Sequence, residues 1–305
     1  MANLALRRRR GAFAAVLATM AMALGFTAIP AQAAPPPQAD YVALGDSYTA
    51  GTGAGLALRP AGVACWQSNP GYVDVVGKTG RVNLVANGAC HGAVLSQASP
   101  FYDRVIVTPT VQEQLASLAF MGAISADTEL VSITAGANDV GFSYALGVCA
   151  TQPAAVCAGT LDYLTSPTNL GLLQAGLAQT YAAIHAAAPN ARIAVLGYPF
   201  LFDPASPFAP IPAENQQLMN GATIRLNTTI EAAVNTANTA FHANAQYVDM
   251  TARFAGHQVN SADPWLQLNL ALPTADYNFH PNQAGHRAYA SAIMGAVKPA
   301  QLARR

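Results

Sequence analysis

The chain has 305 residues, 52% of them hydrophobic and 10% charged, with 15 basic and 15 acidic side chains. Charge that sparse and that balanced, against about a quarter charged residues in an ordinary chain, argues against nucleic acid as a partner. The length suits one domain, or two small ones, with ample apolar material for a core.

The first segment reads as an export signal. Arg7, Arg8, Arg9 and Arg10 form a basic cluster, residues 11–29 are apolar and uncharged, and Ala31-Gln32-Ala33 supplies small residues. Basic, apolar and cleavable regions in that order predict a secretory signal peptide over 1–33, leaving 34–305 as the mature domain. A membrane anchor is the competing reading, because the run is nearly long enough to span. Arg9 and Arg10 also permit a twin-arginine route. Cleavage removes four arginines and no acid, so the acids of the mature chain outnumber its bases by four. A secreted protein without stable membrane anchoring is expected, with a monomer as the default.

After the stiff leader Pro35-Pro36-Pro37, short β-like runs alternate with helical stretches. Strands are predicted over 41–44, 82–86, 130–134, 193–196 and 246–248. Helices are predicted over 110–120, 170–188, 213–243 and 282–297. Such alternation produces a parallel sheet covered by helices on both faces. Two stretches, 56–70 and 144–165, break the rhythm and are predicted as long loops stiffened by bridges, a common setting for binding features. Residues 199–212 carry five prolines and are predicted to be an irregular connection.

The four cysteines are Cys65, Cys90, Cys149 and Cys157. An even count in an exported chain favours disulfides. Of the three pairings, the local one (Cys65 with Cys90, Cys149 with Cys157) is expected, because nearby residues meet most readily. No C-x-x-C or H-x-x-x-H spacing occurs, so no metal site is expected.

Four short segments carry the residues that chemistry needs. Gly45-Asp46-Ser47-Tyr48 follows the first strand, where an open parallel sheet presents reactive groups. Ser47 is not in a G-x-S-x-G elbow, since Thr49 stands where glycine would be; the bland alternative is that Asp46 or Ser47 only caps a helix. In Cys90-His91-Gly92-Ala93, Gly92 offers a backbone N–H, or the segment is simply a loop tied by a disulfide. In Gly136-Ala137-Asn138-Asp139, after the third strand, an Asn amide at a strand's end is placed to meet a developing oxyanion; a plain turn is the alternative. Phe279-His280-Pro281-Asn282 puts a histidine at the mouth of the last helix. Of the six histidines, His185 and His242 lie in helical runs and read as structural. His91, His257 and His286 have weaker claims than His280, although His257 is expected to flank the site.

In this order the four segments resemble the SGNH hydrolases, the GDSL lipase and esterase family. Ser47 corresponds to the serine of its G-D-S block, Gly92 to its second-block glycine, Asn138 to the asparagine of G-x-N-D, and His280 to its last-block histidine. The resemblance runs from Tyr41 to Tyr289. Val140-Gly141-Phe142, Gly197-Tyr198-Pro199 and the cysteine-bearing loops are similar to the secreted actinobacterial lipase and esterase branch. The resemblance implies an α/β fold, a three-layer α/β/α sandwich with a five-stranded parallel sheet of the flavodoxin-like kind, and ester hydrolysis through an acyl-enzyme. It implies Ser47 as nucleophile and His280 as general base. Ser47 N–H, Gly92 N–H and the Asn138 amide become the oxyanion hole, and neither metal nor cofactor is required.

One position departs from the pattern. The family's D-x-x-H acid falls on Tyr277, with Asp276 one residue further back. Either Asp276 orients His280 through an altered loop, or a backbone carbonyl near Tyr277 does so and leaves a Ser–His dyad. His91 also replaces the small polar residue often found before the second-block glycine, which narrows the oxyanion side. Leu56, Leu58, Phe142, Tyr144, Leu146, Phe200 and Phe202 in the loops point to an ester or lipid substrate with an acyl chain. A carbohydrate esterase removing acetyl groups, and a non-catalytic secreted binding protein on the same fold, are the alternatives.

Overall fold

The computed structural model describes residues 37–58, 64–208 and 210–303, with the backbone alone for 56–58. The signal-peptide expectation for 1–33 lies outside the described residues. Five strands form one parallel sheet: β1 (Ala39–Gly45), β4 (Val82–Asn87), β5 (Leu130–Thr134), β6 (Arg192–Leu196) and β7 (Ala245–Val248), in the spatial order β4-β1-β5-β6-β7. The remaining strands, β2 (Leu56–Leu58) and β3 (Gln67–Asn69), pair antiparallel in a ribbon of their own. Central parallel strands are covered on both faces and so read as continuous apolar runs. Every residue of β5 is buried, and so is all of β1 except Asp40.

The helices follow from the strand order. They are α1 (Tyr72–Gly77), α2 (Val111–Phe120), α3 (Phe142–Thr151), α4 (Ala154–Leu164), α5 (Pro167–Ala187), α6 (Ala213–Phe241), α7 (Gln283–Val297) and α8 (Pro299–Leu302). The chain steps from β1 to β4 in one direction across the sheet, and from β4 through β5 and β6 to β7 in the other. Right-handed crossovers therefore put α1 on one face and α2, α5 and α6 on the opposite one. The last long helix, α7, packs on α1, and α5 packs on α6. The three-layer α/β/α architecture expected from the sequence is the one found.

Two expected loops have internal structure. Residues 144–165 form most of the α3–α4 hairpin rather than an irregular loop. Ala145 and Cys149 on α3, and Cys157, Leu161 and Leu164 on α4, are buried at helical spacing. Gly147 and Gly159, together with the small residues around them, mask that spacing in the sequence. Pro153 ends one helix and opens the next. The stretch 56–70 holds the β2–β3 ribbon, with 59–63 outside the described residues. The irregular connection expected over 199–212 is found, with no helix or strand among its described residues. No helix among the described residues is long and apolar enough to cross a membrane.

Cys65 is bonded to Cys90 and Cys149 to Cys157, as the local pairing required. The bridges span 25 and 8 positions of sequence, which corresponds to about 3.5 and about 2.5 kcal/mol of loop entropy removed from the unfolded chain. Replacing each pair with serine should lower the unfolding free energy by about those amounts in denaturant titrations. Equal losses for the two pairs would contradict the loop-entropy account.

Candidate active site

Ser47 stands at the carboxyl end of β1, where the direction of strand addition reverses between β4 and β5. Open α/β sheets open a crevice at that switch point. The turn is built by its neighbours. Gly45 has φ +136°, and a Cβ there would collide with the Thr134 carbonyl of β5, so only glycine lets the two strand ends approach this closely. Asp46 N–H donates to Thr134 O at 2.9 Å, and Asp46 O accepts from Ala50 N–H at 2.8 Å. The Asp46 carboxylate accepts from Tyr48 N–H at 3.1 Å and from the Thr134 hydroxyl at 2.6 Å, and it also accepts from the Tyr198 hydroxyl. Burial raises its pKa to about 6 against the pull of those donors. Residues 47–53 form turns and not a helix, so neither Asp46 nor Ser47 caps one; Asp46 braces the turn and leaves the Ser47 hydroxyl to other partners.

His280 is held from the other side of the crevice. Its loop is zipped to the segment before it: Phe279 N–H donates to Gln267 O at 2.7 Å, Gln267 N–H to His280 O at 2.8 Å, and Asn282 N–H to Trp265 O at 2.8 Å. Asn282 then caps α7 through its side chain. Phe279 takes a left-handed φ of +62°, and its carbonyl accepts from the Tyr48 hydroxyl at 2.8 Å. The result brings the serine and histidine together: His280 Nε2 lies 2.8 Å from Ser47 Oγ.

The partner of His280 Nδ1 is the Asn278 carbonyl, at 2.9 Å. It is a backbone carbonyl beside Tyr277, the second of the two expected arrangements, but Asn278 supplies it and not Tyr277 or the Asp276 carboxylate. The Tyr277 carbonyl accepts the His280 backbone N–H at 3.1 Å within the same turn. The Asp276 carboxylate lies beside His91, 3.9 Å from its Nε2. Asn278 was missed because a backbone carbonyl leaves no mark on residue type. Its side chain fixes the geometry, donating to Leu272 O and accepting from Asn269 N–H, each at 2.7 Å. A carbonyl only accepts, so Nδ1 carries the proton and the Nε2 lone pair faces the Ser47 hydroxyl. Burial, then the neighbouring His91, pushes the His280 pKa down to about 3, with the Asn278 and Asp276 backbone opposing.

The remaining candidates surround this pair. Asn138 lines the same cavity as Ser47 and His280, and its amide donates one hydrogen to Ala93 O at 2.8 Å. Asp139 ties the two flanking loops by accepting from Leu95 N–H, and burial raises its pKa to about 6. Gly92, with φ +79°, follows Cys90, whose N–H donates to Gly45 O at 3.1 Å. Among the described residues, no acceptor takes the backbone N–H of Ser47 or Gly92. His91 sits 5.4 Å from His280, ring to ring, and bonds to the Thr52 hydroxyl at 3.0 Å. His257 stacks on Trp265 and does not line the cavity. His286 is buried, linking Thr52 O and Tyr72 N–H, and its pKa falls to about 4 through burial.

The cavity is narrow, with a volume of about 70 Å³. Phe142 and Leu146 of α3, Leu201, and Leu226 of α6 make its apolar side. Of the other expected apolar residues, Phe202 packs instead against Phe208 and Phe279, and Tyr144 is exposed. The Leu56 and Leu58 side chains lie outside the described residues. Among the described residues, no cluster of His, Cys, Asp and Glu is placed to hold a metal ion.

Residues 43–288 match the GDSL-like lipase/acylhydrolase family. The chain belongs to that family. It is 34% identical over 286 residues to a lipase of Streptomyces rimosus, covering 92% of this chain and 94% of the relative. It is 32% identical to Lipase 2 of Streptomyces coelicolor, covering 95% and 97%. Among solved structures it is similar to phospholipase A1 from Streptomyces albidoflavus, with a TM-score of 0.68 and 26% identity over 85% of this chain and 99% of that one. The extracellular lipase of Streptomyces rimosus gives a TM-score of 0.66 and 27% identity at the same coverage. This GDSL-family chain is a carboxylic ester hydrolase.

Proposed function

We propose that the protein is a secreted lipase or esterase that cleaves acyl esters with a Ser47–His280 dyad. The observation that carries this is the 2.8 Å contact between Ser47 Oγ and His280 Nε2, with Nδ1 committed to a carbonyl. Ser47 Oγ attacks the ester carbonyl as its proton passes to Nε2. The oxyanion is met by the Ser47 and Gly92 N–H groups and by the second hydrogen of the Asn138 amide, a set in which one donor is typically worth about 3 kcal/mol of barrier. Imidazolium returns the proton to the departing alcohol, leaving acyl-Ser47. Neutral His280 then takes a proton from water as that water attacks the acyl group, and the imidazolium returns the proton to Ser47 Oγ as the acyl–Oγ bond breaks and the acid leaves. The apolar wall of Phe142, Leu146, Leu201 and Leu226 suits the acyl chain, since a cleft lined this way gains from each methylene it covers.

Secretion fits the order of regions in 1–33, the two disulfides, and the extracellular lipase among the related structures. Cleavage after Ala33 would leave 34–305 as the working domain. A p-nitrophenyl ester series from acetyl to palmitoyl tests the reading. kcat/KM should rise from acetyl to longer acyl groups; activity confined to acetyl esters would transfer the case to a carbohydrate esterase.

The dyad carries a prediction of its own. Asp276→Asn should leave kcat/KM within about threefold, because the carboxylate is half-exposed and faces His91, where a surface pair contributes little. A loss near a thousandfold would restore Asp276 as the third member of a triad.

A further inference from the structure

Three chain segments meet at one phenol. Tyr198 follows β6, the strand beyond β5, and its hydroxyl reaches the carboxylate of Asp46 next to Ser47. The same oxygen accepts from Ala137 N–H, at 3.4 Å, directly before Asn138. Its ring stands edge-on to Tyr48, with 5.3 Å between centroids, and walls the cavity. The backbone on either side is clamped by one α6 side chain: Asn227 Oδ1 accepts from Tyr198 N–H at 2.9 Å, and Asn227 Nδ2 donates to Tyr198 O at 2.8 Å. A buried two-point clamp of this kind leaves the ring little freedom, since each bond would otherwise go unmade away from water.

We propose that Tyr198 is a positioning residue, one phenol that fixes the distance between the Ser47 turn and the Asn138 loop. The inference rests on the reading of Ser47 as nucleophile and Asn138 as oxyanion donor. Oxyanion stabilisation depends on donors set in place before charge develops, and a misplacement of about 1 Å costs about a hundredfold in rate. Donor spacing matters in the transition state and hardly at all for the bound ester. Loosening it therefore lowers kcat and spares KM.

A second consequence concerns protonation. The titratable groups facing Asp46 are the phenols of Tyr48, Tyr72, Tyr198 and Tyr289, with the Asp139 carboxyl beyond. Burial drives all four phenols upward, so they remain neutral. Tyr198 is the donor whose loss leaves the ionised Asp46 carboxylate less satisfied. Without it, protonation of Asp46 should begin at higher pH.

The test compares Tyr198→Phe with Tyr181→Phe. Tyr181 is a buried tyrosine on α5 whose hydroxyl has no hydrogen-bond partner among the described residues. Active sites are counted by the burst of p-nitrophenol from a short ester, and rates are expressed per titrated site, so any misfolded fraction drops out. Tyr198→Phe should lower kcat per site about ten- to a hundredfold, with KM within about twofold, and raise the acid limb of kcat/KM by about one pH unit. Tyr181→Phe should change none of these. Tyr198→Phe with kcat per site within twofold of wild type, or with an unmoved acid limb, would overturn the proposal. A wild-type enzyme that takes up an organophosphate at a residue other than Ser47 would instead remove the nucleophile reading beneath it.

Discussion

Replacing Ser47 with alanine should abolish ester hydrolysis, lowering kcat by about 10⁴- to 10⁶-fold. The size follows from what is removed. Without Oγ no acyl-enzyme forms, and the residual rate comes from the oxyanion donors and substrate binding alone. Structure should be spared. The Ser47 carbonyl would still accept from Thr52 N–H at 3.0 Å, and the Asp46 bonds that shape the turn do not involve the hydroxyl. The melting temperature should therefore stay within a few degrees of wild type while activity vanishes. Mass spectrometry after an organophosphate should show one adduct on the wild-type chain and none on Ser47→Ala. An adduct retained by the variant, or activity within tenfold of wild type, would move the nucleophile elsewhere.

Loss of His280 should be nearly as damaging, about 10⁴-fold or more in kcat for His280→Ala. Here a pH measurement separates this site from one with an ordinary histidine. With its pKa near 3, His280 is neutral throughout the neutral range, and NMR of its ring should show no titration between pH 5 and 8. The linkage has a definite sign. The folded-state pKa lies below the unfolded value of about 6.5, so the unfolded chain binds more protons in between. The stability His280 contributes is complete above pH 6.5 and is lost as pH falls toward 3. His286, lowered to about 4, acts in the same direction. Asp46 and Asp139, raised to about 6, act oppositely: their contribution is full below about pH 4 and declines as pH rises through 6. The two pairs offset each other between pH 4 and 6, so the melting temperature should vary little there. A His280 ring that titrates near 6.5 would remove burial as the dominant influence on this imidazole.

The Asp46 result shows how far a short motif can be read. Gly45-Asp46-Ser47-Tyr48 admitted a capping reading and a catalytic reading as rivals. In the fold no helix starts there; Asp46 braces a turn instead, and that turn presents Ser47. The hairpin α3–α4 shows the opposite. Its buried positions, Cys149, Cys157 and Leu161, are spaced for helices, but glycines and few charges left the pattern too faint to separate from a loop. Asp276 illustrates a third case. Proximity in sequence made it a candidate, yet its loop turns the carboxylate toward His91.

What the sequence determined by itself was local: the runs that become strands, the glycine at the end of β1, the start of the last long helix, the even cysteines, and the identity of a serine, an asparagine and a histidine at element ends. These follow from backbone sterics, hydrophobic periodicity and side-chain chemistry, which act over a few residues. Only the tertiary structure decided that β1 lies between β4 and β5, that Asn278 supplies the carbonyl behind His280, and that Tyr198 ties the nucleophile turn to the neighbouring loop. Each of these joins groups from separate segments, through hydrogen bonds that residue type alone does not encode. A backbone carbonyl is the same atom in every residue, and only packing selects the one that meets an imidazole.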